Sequence, residues 1–447
     1  MTDKFNIIPL KQLLQIILNQ LNNTDFLFGI PKELFFKPNA NDKFRSRRFG
    51  QLLETPIGVA AGPHSQMAQN IITAWLTGAR FIELKTIQTL DELEVSKPCI
   101  DMQDEGYNCE WSQELKIAQS FDQYLNAWII IHILKDKFGW NTDELGVIFN
   151  MSVGYDYKGI LNENIQWFFN KMADSSVELQ EKIESIRDIY PNIDNLSINP
   201  QISDNITLST MHGCPPEEIE QIGNYLITEK KLHTAIKLNP TLLGKEQLQK
   251  IIKNSGFETQ VPDIAFEHDL KYPDAIRIIK KLLKKADEQK LQFSLKLTNT
   301  LESLNHKEIF PEHEKMMYAS GRVLHPISVN VAQKLQNDFN GKLDISFSAG
   351  IDAFNVADVI SCGMYPATVC SDILKPGGYG RLNQYINEIK EQKPEKFTNS
   401  TIKKLNKYAI KILLDNRYKK TDFQVPNIKT KRKLNTFDCI QAPCVDT

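Results

Sequence analysis

The run Ile57-Gly58-Val59-Ala60-Ala61-Gly62 is short and apolar and ends in small residues, which is typical of a buried strand that leads into a tight turn. Seven further runs of this kind follow, and helix-like sequence separates each run from the next. Eight strands alternating with helices predict an α/β fold, the (β/α)8 or TIM barrel, enlarged by insertions and by a helical and basic C-terminal tail. The other runs are Phe81–Thr86, Gly146–Ser152, Ile206–Thr210, Thr234–Pro240, Phe293–Thr300, Asp344–Gly350 and Ala367–Ile373.

Polar or small residues stand where most of these strands end, and this is the end at which barrels of this class place their chemistry. Lys85 and Lys237 lie in otherwise apolar runs. Burying a lysine in such a strand is costly unless an anion or a polar ligand meets it. We therefore expect a ligand site at the strand ends, which carry Ala61, Gly62, Lys85, Thr86, Ser152, Thr210, Lys237, Asn299, Thr300, Gly350, Cys370 and Ser371.

The composition is that of a globular protein without a general affinity for polyanions. Of the 447 residues, 41% are hydrophobic and 24% are charged, and 53 Lys and Arg against 55 Asp and Glu give a net charge of −2. A nucleic-acid partner is therefore not expected. The longest apolar stretch, around Ala127–Leu134, is too short to span a membrane, so we expect no membrane partner and a cytoplasmic location. Seven irregularly spaced cysteines favour reduced thiols over a disulfide framework.

The chain is longer than an ordinary barrel, and we expect one enlarged barrel rather than two full domains. The predicted divisions are an N-terminal extension at 1–50, the barrel at 51–390, and a linker with an incomplete iron–sulfur segment at 391–447. Residues 301–319, with His306 and His313, are predicted to form a polar loop that covers the site. Helices are predicted at Leu10–Leu21, Ala68–Thr77, Leu115–Phe138, Lys245–Lys253 and Pro273–Gln289.

Three junctions between predicted elements are suited to hold a phosphate. Backbone N–H groups at glycine-containing strand–helix junctions can cradle a phosphate, and the dipole of a following helix adds to the attraction. Two of the junctions end the last two strands, where barrels often bind phosphate. The three are Ser348-Ala349-Gly350-Ile351-Asp352, Cys370-Ser371-Asp372 and Ser320-Gly321-Arg322. Cys370 also suits the role of a small buried hydrophobic residue.

The lysines and amides at the strand ends suit a planar, electron-accepting ring. Lys85 and Lys237 can place positive charge beside the pyrimidine end of a flavin and stabilise its reduced, anionic form. Each lysine can instead form a buried ion pair, Lys85 with Glu110 for example. Asn299 and Thr300 offer donors and acceptors for a heterocycle, or can bond their own loop. The strand alternation is compatible with Lys296 facing outward, which leaves it outside the predicted site.

The chain resembles the FMN barrel of the dihydroorotate and dihydropyrimidine dehydrogenase family from about Thr55 to Tyr379, with the motifs in the same order. Pro56–Gly62 and Phe81–Thr86 are similar to the family's first two flavin strands, and Lys237-Leu238-Asn239-Pro240 to its Lys-Leu-Thr-Pro. The resemblance implies FMN as cofactor and two sets of site residues. The FMN contacts are Ala61, Gly62, Lys85, Thr86, Lys237, Ser320, Gly321, Gly350, Ile351, Cys370 and Ser371, and the substrate contacts are Asn108, Asn299 and Thr300.

Longer identical motifs resemble the N-terminal part of large iron–sulfur flavoproteins known as selenate reductase subunits. The shared motifs are Ala-Ala-Gly-Pro-His, Lys-Pro-Cys-Ile-Asp, Thr-Met-His-Gly-Cys-Pro-Pro and Leu-Lys-Pro-Gly-Gly-Tyr. They stand here at Ala60–His64, Lys97–Asp101, Thr210–Pro216 and Leu374–Tyr379.

The proton-transferring residue departs from the family pattern. Dehydrogenases of the dihydropyrimidine type use the Cys of Asn-Leu-Ser-Cys-Pro, and Thr210 stands at that position here. Cys214 follows four residues later, with His212 close to it. Thr210 can relay a proton but is a poor base, whereas a thiol beside an imidazole can be a competent one. Both are catalytic candidates, and Cys214 equally suits a structural role at the start of the next helix. The position of the family's orotate-gripping Lys falls near Ser65, so orotate is not the expected substrate.

The C-terminal segment carries part of a metal-binding pattern. Cys439 and Cys444 resemble the opening of the cluster-binding segment in dihydropyrimidine dehydrogenase and in the glutamate synthase small subunit. A 4Fe–4S cluster needs four thiolates, and this segment supplies two. We therefore expect a cluster only when a further segment or partner completes it. In the resembled proteins an FAD- and NAD(P)H-binding module follows, which implies such a module or subunit as partner.

The expected function is that of a flavin-dependent oxidoreductase module. It would oxidise or reduce a C–C bond of a small pyrimidine- or purine-like heterocycle, as part of an electron-transfer system like that of the resembled proteins. Two alternatives from other classes remain open. One is a non-catalytic barrel that serves as a scaffold in a redox complex, and the other is a Schiff-base aldolase that uses Lys85 or Lys237.

Overall fold

Eight parallel strands close into a barrel in the order in which they follow along the chain. The computed structural model describes residues 5–91, 99–108, 113–140, 144–210, 212–310 and 312–420. Every barrel strand overlaps one of the eight predicted runs, so the predicted fold class is confirmed. Barrel strands 1 to 8 are Ile57–Val59, Phe81–Glu83, Ile148–Val153, Asn205–Ser209, His233–Leu238, Phe293–Leu297, Ile345–Phe347 and Met364–Val369.

Helices lie between the barrel strands along the chain, and several of them carry one apolar face. In the helix Tyr272–Glu288 the buried residues Ala275, Ile278, Ile279, Leu282 and Ala286 recur at helical spacing. Among the described residues, no helix has both the length and the apolarity that crossing a membrane requires. The helices are α1 Leu10–Asn23, α2 Ala68–Leu76, α3 Ile117–Lys137, α4 Tyr157–Ile160, α5 Glu163–Ala173, α6 Ser176–Ile186, α7 Pro216–Thr228, α8 Lys245–Ser255, α9 Asp263–His268, α10 Tyr272–Glu288, α11 Leu324–Asp338, α12 Val356–Ser361, α13 Leu382–Ile389 and α14 Asn399–Leu414.

A small sheet lies at the carboxyl ends of the barrel strands. Its four strands are, in spatial order, Leu301–Leu304, Met316–Ala319, Ile100–Asp101 and Tyr107–Asn108. Residues 301–319 were expected to form a polar loop, but both ends of this segment pair as strands and leave the polar turn between them. The cover over this end of the barrel is therefore a hydrogen-bonded sheet. Two short hairpins complete the strands, Phe26–Leu27 with Ile30–Pro31 and Ser46–Arg48 with Gln51–Leu53.

Helix α14 lies beyond the expected barrel boundary at residue 390 and packs against α11, with Leu405, Tyr408 and Ile412 buried. His325 in α11 joins the two helices. Its Nδ1 donates to the Ala349 carbonyl at 2.6 Å, and its Nε2 lies 2.8 Å from the Tyr408 hydroxyl oxygen. Burial lowers the pKa of His325 to about 4, which keeps the ring neutral at neutral pH. In the neutral ring with Nδ1 protonated, Nε2 accepts the hydrogen bond from Tyr408.

We expect the stability of the protein to fall between about pH 6.5 and 4 partly because of His325. In the unfolded chain a histidine has a pKa of about 6.5. Because the pKa of folded His325 is lower, acidification protonates the unfolded chain first, and stability is lost as the pH falls toward 4. In His325→Asn the slope of the unfolding free energy against pH should decrease by up to about 1.4 kcal/mol per pH unit. Urea unfolding at several pH values measures this slope.

The matched control is His313→Asn, since the His313 side chain is 76% exposed and its substitution should leave the slope unchanged. An unchanged slope in His325→Asn would show that His325 is not held neutral in the folded state.

Candidate functional site

Two adjoining cavities open at the carboxyl ends of the barrel strands, and Ala61, Lys237 and Thr300 line both. We name them the glycine cavity and the histidine cavity. The glycine cavity is lined by Ala60, Ala61, Lys237, Thr298, Thr300, Ser320, Leu324, Ser348, Gly350, Ile351, Thr368, Val369, Cys370 and Ser371. The histidine cavity is lined by Ala61, Lys85, Thr86, Gln88, Gly154, Ser209, Thr210, His212, Lys237, Asn299 and Thr300.

Most of the residues that the sequence assigns to the site line one of these cavities, and a few lie beside them. The Gly62 amide is bonded to Ser65 Oγ at 3.1 Å, and Asn108 Nδ2 donates to Cys370 Sγ at 3.3 Å. Gly62, Asn108, Gly321 and Cys214 fall outside the described lining of both cavities. Glu110, Cys439 and Cys444 lie outside the described residues.

The glycine cavity is shaped by a close approach of two backbones. Gly350 has φ +57°, and a Cβ placed on it would lie 2.6 Å from the Gly321 carbonyl oxygen and 2.9 Å from Arg322 Cα. Only glycine fits there without displacing backbone. Ser320 Oγ and Ser371 Oγ meet at 3.3 Å on the same side, and helix α11 begins at Leu324 in the wall. Amides, hydroxyls and a helix N-terminus form a donor set that suits a phosphate.

Two lysines bring positive charge to the cavities, and a third is paired beneath them. Lys85 is 5% exposed in the histidine cavity, and Lys237 lines both cavities. Lys296 was expected to face outward, but the register aligns it with Lys237 on the neighbouring parallel strand, so both face the barrel interior. Lys296 Nζ is in an ion pair with Glu83.

Glu83 connects this ion pair to the mouth of the barrel. Its Oε1 accepts from Thr368 Oγ1 at 3.0 Å, and its Oε2 accepts from the Ala61 amide at 3.2 Å. The pair is buried, with side-chain exposures of 2% for Lys296 and 3% for Glu83. It therefore fixes the position of the first strand's small-residue end.

Asn299 and Thr300 differ in whether their polar side-chain atoms have hydrogen-bond partners in the protein. Asn299 Nδ2 donates to the Thr210 carbonyl at 2.9 Å and to Asn239 Oδ1 at 2.7 Å. Both partners lie in the segments after barrel strands 4 and 5, so this amide joins neighbouring strand ends rather than bonding its own loop. Thr300 Oγ1 is buried and has no hydrogen-bond partner in the described part of the chain. This hydroxyl is therefore available to bond a polar atom of a molecule in the cavity.

The two proton-transfer candidates differ in position and chemistry. Thr210 Oγ1 faces the histidine cavity and donates to the Lys237 carbonyl at 2.7 Å, so its proton is engaged. Cys214 Sγ lies 3.9 Å from Glu218 Oε2. Burial, together with the Glu218 carboxylate, raises the pKa of the Cys214 thiol to about 12. This environment keeps the thiol protonated, in contrast to the activated cysteine that the sequence allowed.

His212 lines the histidine cavity. In the sequence it stands out only as a neighbour of Cys214. Its Nδ1 lies 3.0 Å from Asp269 Oδ1, and Asp269 Oδ2 accepts from Thr241 Oγ1 at 2.7 Å. Asp269 follows α9 and is 57 residues away along the chain, so no local pattern links the two side chains.

His64 is a second buried histidine near the site. Its Nδ1 lies 3.9 Å from Cys370 Sγ, and its Nε2 has no hydrogen-bond partner among the described residues. Burial and the charge of Lys85 lower the pKa of His64 to about 4, so the ring is neutral.

The chain is similar to known proteins over most of its length. It is 39% identical over 470 residues to the YgfK protein of Escherichia coli strain K12 and, equally, to that of Escherichia coli O157:H7, and the match covers 100% of this chain and 45% of each relative. The chain thus spans less than half the length of these relatives.

Two solved structures have a related shape. Ligand-free DHODH from Eimeria tenella matches with a TM-score of 0.47 and 15% identity over 80% of this chain and 90% of that chain. DHODH from Eimeria tenella in complex with ferulenol matches with a TM-score of 0.46 and 13% identity over 93% of this chain and 96% of that chain. Residues 28–420 match the family described as "Oxidoreductase YgfK, N-terminal TIM-barrel domain", and the chain belongs to this family.

Proposed function

We propose that the chain is a flavin-dependent oxidoreductase module that binds FMN and oxidises or reduces a C–C bond of a pyrimidine- or purine-like heterocycle. The observation that carries this proposal is the junction of the two cavities. A cradle of backbone and hydroxyl donors continues, past Lys237 and Thr300, into a cavity with cationic and polar walls. One end suits a phosphate and the other a polar ring.

The described residues fit the chemical groups of FMN. Ser320, Gly350, Ile351 and Ser371 would hold the phosphate through amides and hydroxyls. Lys237 would place its charge beside the ring, where it favours an anionic reduced form. When bound, FMN would accept or supply the hydride.

The walls of the histidine cavity would bind and orient the heterocycle. Thr300 Oγ1 offers a hydrogen bond that the described residues leave unused, and Lys85 offers a cation. The Asn299 side chain is hydrogen-bonded to Thr210 and Asn239, and these bonds fix its position in the cavity wall. Ser65, at the position of the orotate-gripping lysine, is buried and bonded to Gly62, which argues against orotate.

Electrons would reach or leave the flavin through a further module. The relatives are more than twice as long as the matched part, which supports a further module as partner. The resemblance to the iron–sulfur flavoproteins is what suggests that this module binds FAD and NAD(P)H. Cys439 and Cys444 would contribute to a 4Fe–4S cluster only together with ligands from that module.

Lys237→Met tests the contact between the cation and the ring. We expect the wild-type chain to bind one FMN, and the variant to bind it at least tenfold more weakly, because a hydrogen bond to a charged group contributes about 1.5–3 kcal/mol. Quenching of FMN fluorescence on titration measures Kd. Lys342→Met, at an exposed position after α11, is the matched control and should bind as the wild type does. Equal affinities in all three proteins would contradict the assigned role of Lys237.

Gly350→Ala tests the phosphate cradle. The added Cβ would press on the Gly321 carbonyl and Arg322 Cα, so we expect FMN affinity to fall by at least tenfold. Riboflavin, which lacks the phosphate, should lose less affinity than FMN. Gly139→Ala is the control, because Gly139 also has a positive φ, +64°, and an added Cβ there meets no atom within 4 Å. The cradle assignment fails if Gly350→Ala weakens riboflavin and FMN binding equally.

A further inference from the structure

We propose that His212, held by Asp269, is the acid–base residue that exchanges a proton with the substrate in the histidine cavity. This inference rests on the proposed function and assigns a role that neither Thr210 nor Cys214 can fill. His212 follows barrel strand 4 and lines the cavity together with Lys85, Thr210 and Asn299.

The hydrogen bonds of Asp269 determine how the imidazole is oriented. The Asp269 side chain is 1% exposed and accepts from His212 Nδ1 at 3.0 Å and from Thr241 Oγ1 at 2.7 Å. Burial raises the pKa of Asp269, but these hydrogen bonds outweigh that effect and hold it below its usual range. The carboxylate is therefore ionised, and it binds His212 through Nδ1–H. In a neutral ring with Nδ1 protonated, Nε2 carries the lone pair that can accept a proton.

Charged groups of both signs lie around His212. Glu302 Oε2 lies 3.7 Å from its Nδ1. Lys85 and Lys237 line the same cavity. The other titratable neighbours are Tyr318, whose ring centre lies 5.7 Å from that of His212, and His268, whose charge lowers the pKa of Asp269.

The geometry disfavours the competing proton carriers. The Thr210 hydroxyl donates to the Lys237 carbonyl, and a hydroxyl is a weak base at neutral pH. Cys214 lies outside the described cavity lining and has its pKa raised to about 12. Imidazole, in contrast, is the side chain whose unperturbed charge change falls between about pH 5 and 8. His212 is thus the described cavity-lining group best suited to exchange a proton at neutral pH.

The proposed step balances in both directions. In oxidation, one substrate C–H bond would break with loss of hydride, for which bound FMN would be the acceptor. The C–H bond on the adjacent carbon would break as well, its electron pair would form the new C=C bond, and its proton would pass to His212 Nε2. In reduction the same bonds would form, with the hydride supplied by reduced FMN and the proton by the protonated ring.

The test is stopped-flow reduction of the FMN-loaded chain by 5,6-dihydrouracil and by dihydrothymine, followed as bleaching of flavin absorbance from pH 5 to 9. We expect His212→Gln to retain FMN and to bleach at least 100-fold more slowly, within the range of general acid–base effects. In the same variant, the change in bleaching rate between pH 5 and 8 should disappear. Asp269→Asn should shift that change to lower pH, because a neutral amide no longer favours the protonated ring.

A second readout needs neither flavin nor substrate. Nitrogen-15 NMR of histidine-labelled protein, with His212 assigned from the resonances missing in His212→Gln, reports which ring nitrogen carries the proton. We expect Nδ1–H in the neutral ring of the wild type. A neutral His212 ring that carries its proton on Nε2 would overturn the inference.

The matched control for these measurements is His313→Gln, at a mostly exposed position, which should bleach as the wild type does. The inference is overturned if His212→Gln bleaches at the wild-type rate, or if the change in rate between pH 5 and 8 is lost in Cys214→Ser and kept in His212→Gln. If FMN does not bind, the proposed function itself fails and the role of His212 falls with it. If FMN binds and neither probe reduces it, the pyrimidine substrate class fails, and the position of the ring proton measured by NMR decides the inference.

Discussion

The buried ion pair between Glu83 and Lys296 is the interaction on which the geometry of the barrel mouth depends. It joins strands 2 and 6 directly, strand 8 through the Thr368 hydroxyl, and the end of strand 1 through the Ala61 amide. Removing one member of a buried pair typically costs about 3–5 kcal/mol, because the other charge stays buried without its partner. The strand ends that line both cavities are therefore held by a network that tolerates little change.

The two cavities are built from different kinds of groups. The glycine cavity depends on backbone, since Gly350 lies against Gly321 with no room for a side chain, and two serine hydroxyls meet beside it. The histidine cavity depends on side chains, with Lys85, Thr210 and His212 in its wall. Lys237 and Thr300 line both cavities. A ligand that extends from one to the other must pass these two residues, which makes them the natural contacts of a cofactor with a phosphate at one end and a ring at the other.

The sequence predicts the barrel well because the information is local. Each strand is a short apolar run with a polar or small end, and helices such as α10 carry a clear apolar face. The orientation of Lys296 was missed because it depends on the register between strands, which one strand's alternation does not contain. The pairing of residues 301–319 into the small sheet likewise depends on partners far away, at Ile100–Asp101.

The residues of the candidate site likewise divide into those that local sequence reveals and those that depend on distant partners. Lys237, Thr300, Gly350 and Ser371 stand at strand ends and could be named from the sequence, whereas Asp269 has no pattern that links it to His212. Its role is visible only once the loop after α9 is folded against the loop after strand 4. The proposed proton-transfer residue is therefore identified by interatomic distances in the folded protein, whereas the proposed cofactor contacts are identified by sequence motifs.

The visible absorption spectrum of the freshly purified chain tests the central claim most directly. The account predicts the two-banded spectrum of an oxidised flavin, with FMN released in one-to-one ratio when the protein is denatured. A colourless protein that stays colourless after incubation with FMN would contradict it.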